Sequence, residues 1–184
     1  MAPILVLFGT GEGQTAKVAA RIENTLLERG HDVTTVDVES LPADLDFETF
    51  DAILVGSSIH IGKHHEAIRE FVDSNNEILN VRPTGFFQLS LSSAVDEPER
   101  QAEAAQYVDE LLERSNWHPD KIGLFGGALR YSKYGFLKRL LLKRIAKDAT
   151  GDVDTSRDYE YTDWDEVDAF TADFAGFLEQ RLDG

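Results

Sequence analysis

Six consecutive residues near the start of the chain, Thr10, Gly11, Glu12, Gly13, Gln14 and Thr15, have the composition of an anion cradle. They follow an apolar run, residues 4–8, with the character of a buried strand. They precede Val18, Ala19, Ile22 and Leu26, which recur at helical spacing. Free N–H groups at a helix start converge on one spot, and the helix dipole favours negative charge there. Glycine lets the backbone come close to a ligand, and threonine hydroxyls add hydrogen bonds. Phosphate binding is the chemistry that suits this pattern; a plain strand-to-helix turn, which also favours Gly and Thr, is the alternative. No Gly-Lys-Ser/Thr follows, so this is not a Walker-type loop. The spacing Gly9-x-Gly11-x-Gly13 does not fit a dinucleotide fingerprint either. A phosphate here requires the Glu12 carboxylate to point outward.

The surrounding pattern supplies the elements that would hold such a loop. A helix over residues 14–29 stops at Gly30, and a strand follows at 31–38. A connection over 41–50 carries Pro42. A third strand at 52–56 leads through a loop, 57–63, to a helix at 64–79. A fourth strand at 85–91, a loop at 92–98, a helix at 99–114, a fifth strand at 121–127 and a final helix at 164–181 complete the series. Strands alternating with helices predict an α/β fold, a doubly wound parallel sheet with helices on both faces. Five such units suit the flavodoxin-like order 2-1-3-4-5, which places a ligand beyond the carboxyl ends of strands one, three and four. The pattern Thr10-x-x-Gly13-x-Thr15, directly after the first strand, resembles the FMN phosphate loop of flavodoxins. A flavin would put its phosphate on residues 10–15. Its ring would lie between Ser57, Ser58, Ile59, His60, Ile61 and Gly62 on one side and Leu91, Ser92, Ser93, Ala94 and Val95 on the other. His60 fits equally beside the ring or as a cap of the second helix.

A chain of 184 residues suits one domain over 1–184. Cysteine is absent, which excludes disulfides, thiolate metal sites and a Cys nucleophile. The chain enters a strand at once, with no basic n-region, and contains no run of 18 apolar residues. The expectation is a cytoplasmic protein. No Ser/His/Asp triad and no dense His/Asp metal cluster is evident, and no side chain is singled out as catalytic. The net charge of −16 is spread along the whole chain, and Arg outnumbers Lys 11 to 7. Diffuse carboxylates with few lysines suit a high-salt cytoplasm, where screening suppresses self-repulsion. An ordinary acidic protein is the alternative. The charge argues against general nucleic-acid binding.

One segment stands outside the five-unit plan. Residues 128–158 form an insert between the fifth strand and the last helix. From 130 to 147 the insert carries seven of the 18 basic residues and no acid. On a helical wheel Phe136, Leu137, Leu140, Leu141 and Ile145 share one side, with Arg144 and Lys147 intruding. The functional reading is a contact surface for an anionic substrate or for anionic lipid headgroups. Packing against an acidic patch of the same protein is the structural alternative.

These pieces together resemble the bacterial FMN-dependent, quinone-linked protoporphyrinogen oxidases, a flavodoxin-fold family. The resemblance covers nearly the whole length. It rests on Phe8-Gly-Thr-Gly-Glu-Gly-Gln-Thr15, Gly56-Ser-Ser-Ile-His-Ile-Gly62, Trp117-His-Pro-Asp120, Gly127-Ala-Leu-Arg-Tyr131 and Tyr161-Thr-Asp-Trp164. It implies bound FMN, oxidation of protoporphyrinogen IX to protoporphyrin IX, and a quinone or other electron acceptor. It also implies that the insert holds the porphyrinogen or meets the membrane. Arg130, Lys133, Lys138 and Arg139 would then pair with the substrate's propionates, and Tyr131, Tyr134 and Phe136 would pack on the macrocycle. This chain is far more acidic than such relatives, and its 92–97 loop has no basic cluster. An electron carrier of the flavodoxin type with no substrate of its own, and an FMN-free binding module, are the competing functions.

Overall fold

The computed structural model describes residues 1–129, 136–152, 154 and 156–184, without the side chains of 136–138. In chain order the strands are β1 (Pro3–Gly9), β2 (Asp32–Asp37), β3 (Ala52–His60), β4 (Lys63–His64), β5 (Thr84–Ser90), β6 (Lys121–Gly126), β7 (Ala128–Leu129) and β8 (Tyr159–Glu160). The helices are α1 (Gln14–Glu28), α2 (Glu66–Asn80), α3 (Pro98–Ser115), α4 (Phe136–Ala149) and α5 (Trp164–Asp183). The main sheet runs β2-β1-β3-β5-β6, all pairs parallel. Counting parallel strands alone, this is the 2-1-3-4-5 order expected of a doubly wound sheet.

A strand covered on both faces reads as a continuous apolar run, and β1 shows why. Ile4 and Val6 pack with Ile22 of α1 and with Phe174 and Leu178 of α5. Leu5 and Leu7 pack with Phe71 of α2, Leu111 of α3 and the fully buried Trp117. α1 ends where the sequence places its stop. Gly30 adopts φ 85, its N–H donates to the Leu27 carbonyl at 2.9 Å, and the His31 N–H returns to the Leu26 carbonyl at 3.2 Å.

Residues 57–63 differ from the loop expected there. β3 does not stop at Gly56. Ser57 pairs with Gly9 and Ser58 with Leu89, so the ladder continues past the end of the apolar run. The chain then reverses in two residues and pairs back antiparallel, Ile59 with His64 and His60 with Lys63. The turn residues Ile61 (φ 49) and Gly62 (φ 73) are both left-handed, as a two-residue hairpin of this hand requires. As a result His64 lies on β4, not on α2, which begins at Glu66. His64 ends the strand, and His65 is the residue just before the helix.

The insert folds on a small core of its own. β7 and β8 pair antiparallel, Ala128 with Glu160 and Leu129 with Tyr159. α4 buries Leu142 and Ala146, with Ile145 half-buried, against Leu91, Leu129, Tyr159 and Tyr161. Leu140 and Leu141 are exposed, at 50% and 45%. This corrects the expected apolar side. Leu140, Leu141 and Leu142 are consecutive, so no single face can bury all three. The face that wins, 142–145–146–149, carries two alanines that let the helix approach closely. Arg130, Tyr131, Lys133 and Tyr134, and the side chains of Phe136, Leu137 and Lys138, lie outside the described residues.

Candidate functional site

The loop after β1 has the shape of an anion cradle. Gly13 is the residue before α1 and takes φ 96, a left-handed conformation that favours glycine. Its N–H donates to the Thr10 hydroxyl at 2.9 Å, which folds the loop back on itself. That leaves the Thr10 hydrogen available to donate to a ligand. The first helical bond of α1 is Lys17 N–H to the Gly13 carbonyl, so the N–H groups of Gln14, Thr15 and Ala16 precede it. No acidic residue sits in that first turn. The Thr15 hydroxyl is fully buried and has no hydrogen-bond partner among the described residues. A Cβ at Gly11 would meet only open space. A buried, unanswered hydroxyl beside a helix start fits a phosphate.

The loop opens into a cavity of about 350 Å³ at the carboxyl ends of β1, β3 and β5. Thr10, Gly11, Glu12, Gln14 and Thr15 line one end. Ser58, Ile59, His60, Ile61 and Gly62, from the β3–β4 hairpin, line a side. Leu91 and Ser92 line another. Gly13 and Ser57 stand behind these walls. Ser57 is fully buried, and its hydroxyl accepts from the His65 N–H at 3.0 Å, which fixes the start of α2. Ser93 does not line this cavity; its hydroxyl and N–H both bond the Ser90 hydroxyl. Ala94 and Val95 line a different cavity, beside Lys147 to Asp152. Arg139 is half-buried on α4 and does not line the cavity.

Two side chains at the phosphate end resolve alternatives left open by the sequence. The outward-pointing Glu12 expected beside a phosphate is not found; the carboxylate turns instead to His60 of the β3–β4 hairpin. It lies 3.7 Å from Nδ1 of His60 and is only 15% exposed. His60 therefore belongs to the cavity wall and does not cap α2. On the rim, Nε2 of Gln14 donates to the Glu160 carboxylate and to the Thr162 hydroxyl, both at 2.9 Å. This ties the start of α1 to the far end of the insert.

A third wall comes from α3, which the sequence did not single out. Arg100, Glu103 and Tyr107 recur at i, i+3 and i+7 and so share one face. That polar stripe, beside the buried Ala104 and Val108, is the signal that could have revealed them. Glu103 accepts from the Ser92 hydroxyl at 2.6 Å, the Tyr107 hydroxyl at 3.1 Å and Arg100 at 3.2 Å. These bonds, the one from Ser92 foremost, hold its carboxyl below the usual range. Burial and the neighbouring Glu103 push the Tyr107 hydroxyl up, so it stays protonated. The insert closes the cavity with Leu129, Leu142, Ile145 and Ala149. Beneath, His64 is buried and donates from Nε2 to Gln88 at 2.7 Å, while Gln88 donates to the Ala104 carbonyl at 2.9 Å. Burial lowers the His64 pKa to about 4, so this histidine is neutral.

The sequence matches the family described as flavodoxin domain over residues 5–156. Over 176 residues it is 33% identical to protoporphyrinogen IX dehydrogenase (quinone) of Escherichia coli K12, covering 96% of each chain. The chain belongs to this dehydrogenase family. A dehydrogenase of the same name from Leishmania major is 30% identical over 93% of this chain and 74% of its own length. In fold, Flavodoxin 2 from Bacillus cereus superposes with a TM-score of 0.59 at 17% identity, over 96% of this chain and 99% of that one. This chain thus keeps the flavodoxin sheet, and its α4 covers the pocket at the sheet's carboxyl edge.

Proposed function

We propose that this protein binds FMN in the β1–β3–β5 cavity and oxidises protoporphyrinogen IX to protoporphyrin IX, passing the electrons to a quinone. The observation that carries the cofactor is the buried Thr15 hydroxyl at the start of α1, with the open space at Gly11 beside it. Thr10, Thr15 and the first N–H groups of α1 would hold the phosphate. Residues 58–62 of the hairpin, with Leu91 and Ser92 opposite, would hold the ring. Bound there, FMN supplies the hydride chemistry; the chain supplies orientation and a cavity shielded from water. Leu129, Leu142 and Ile145 exclude water on the insert side, and Tyr107 keeps its proton near the substrate.

A flavin cavity roofed by the helix α4 favours an enzyme over a pure electron carrier, which needs its flavin edge open to a partner protein. The deciding experiment is an anaerobic assay of FMN-loaded protein with protoporphyrinogen IX and a quinone. Expected is steady-state turnover. Bound FMN without turnover would overturn the enzyme reading and leave the carrier.

The exposed face of α4 supports a peripheral place at the inner face of the cell membrane. Leu140 and Leu141 stand out among exposed Lys143, Arg144 and Lys147. Among the described residues no helix is long and apolar enough to cross a membrane. The net charge of −16 supports adaptation to a salt-rich cytoplasm.

A further inference from the structure

Nearly every described cation outside α4 is already answered. Lys17, Arg21, Arg29, Arg100, Arg114, Lys121 and Arg181 each reach a carboxylate. Arg82 donates to the carbonyls of Phe47 and Phe50, and Arg157 lies over Tyr159. Two remain, Lys63 on β4 and Arg69 on the first turn of α2. Neither makes an ion pair among the described residues, and the Arg69 Nε is buried with no acceptor. In a chain with 34 carboxylates and 18 cations, two unanswered cations side by side are unexpected.

They line the same cavity. It has a volume of about 260 Å³ and lies between the β3–β4 hairpin, α2 and α3. Arg114 and Glu110 also face it. Arg114 is held by Asp73 at 2.8 Å, and Glu110 accepts from Gln106 at 3.1 Å on its own helix. His64 lies on the wall and is neutral. Three cations against one carboxylate line the space, a local reversal of the protein's overall charge. Gly62 and Tyr107 line both this cavity and the larger one, so the two chambers share a wall.

We infer that this side cavity receives a carboxylate of the tetrapyrrole substrate, with Lys63 and Arg69 as its partners. The inference rests on the proposed function for the substrate class and adds the place where its charge is read. An arginine and a lysine together answer a carboxylate better than either does alone, and a guanidinium whose buried Nε has no acceptor gains from one. The position also gives the substrate a direction. The macrocycle would lie toward the main cavity, past Gly62 and Tyr107, and a propionate would reach the side cavity.

The test compares the diacid protoporphyrin IX with its dimethyl ester, by porphyrin fluorescence titration of the FMN-loaded protein. The parent should bind the diacid more tightly than the ester. The double variant Lys63→Gln/Arg69→Gln should lose about tenfold in diacid affinity while its ester affinity and FMN affinity stay unchanged. If Arg69→Gln disturbs folding, Lys63→Glu alone is sufficient, because Lys63 is exposed; it should weaken the diacid several-fold and spare the ester. Parental diacid affinity in these variants, with turnover of protoporphyrinogen intact in the parent, overturns this inference and leaves the proposed function standing. A parent that neither turns over protoporphyrinogen nor binds either porphyrin overturns both.

Discussion

Arg100 on α3 donates from Nη2 to the carbonyl of Asp148 on α4 at 2.6 Å, while its Nη1 donates to Glu103 at 3.2 Å. One side chain therefore joins a wall of the parent fold to the last turn of α4. Arg100→Met should remove that latch and leave the Asp148 carbonyl to water. The cost to stability should be about 1–2 kcal/mol, typical of a charged hydrogen bond at a partly exposed site. Hydrogen exchange should accelerate over 136–149 and not in β1 or β3. Equal exchange in the two proteins would show that α4 is held by its apolar face alone.

Thr15→Ala should weaken FMN by one to two decades, on the order of 1–3 kcal/mol, by removing the hydroxyl aimed at the phosphate. Gly13→Val should weaken it further, because a β-branched residue resists the left-handed φ of 96 that the loop requires. Fluorescence titration of flavin measures both. Parental affinity in the two variants would remove the phosphate assignment.

His64 should make the protein sensitive to acid. Its folded pKa, about 4, lies below the ordinary value of 6.5 because burial disfavours the charged ring. Between those values the unfolded chain binds the proton and the folded one does not. Stability is therefore full above about pH 6.5 and falls as pH drops toward 4, by roughly 3 kcal/mol in all. Denaturant titrations at pH 7 and pH 4.5 should show the loss, and His64→Gln should flatten it. The carboxylates of Glu103, Asp168 and Glu179, all held below their usual range, add their own losses at lower pH in both proteins. An unchanged pH slope in His64→Gln would mean that the ring is not protonated on unfolding in this range.

Salt should stabilise the fold. With −16 of net charge, unscreened carboxylates repel, so the melting midpoint should be higher in molar KCl than in dilute buffer. Equal midpoints would mark the acidity as unrelated to salt.

The exposed leucines of α4 give a separate test of membrane contact. Leu140→Asn with Leu141→Asn should keep flavin affinity, since both side chains face away from the small core of the insert. Binding to anionic vesicles should fall by at least tenfold. Unchanged vesicle binding would leave α4 as a roof only.

The sheet order was legible because β1 and the first half of β3 are apolar runs, and helices with a period of 3.6 separate the strands. The turn from β1 into α1 was legible because glycines and threonines cluster at 9–15 between an apolar run and a helical pattern. The hairpin at 57–64 was not. Ser57, Ser58 and His60 are polar, and only their pairing to Gly9, Leu89 and Lys63 keeps them in a strand. The third wall was hidden for a similar reason. Arg100 and Tyr107 are ordinary polar helix residues until α4 is folded over them. The apolar side of α4 was misplaced because three consecutive leucines fit several faces, and the partner surface decides among them.

β7 and β8 bring the two ends of the insert into adjacent positions, Ala128 beside Glu160 and Leu129 beside Tyr159. The excursion thus starts and finishes at neighbouring points, and the chain on either side does not depend on its length. Closing a longer loop across fixed ends costs only about 0.6 kcal/mol for each doubling of length. Such a segment is a detachable module. A short turn grafted between Leu129 and Tyr159 should leave the sheet and α5 in place while taking away the roof. The result would turn a roofed flavin site into an open flavin edge, so a single splice site separates an oxidase architecture from a carrier architecture.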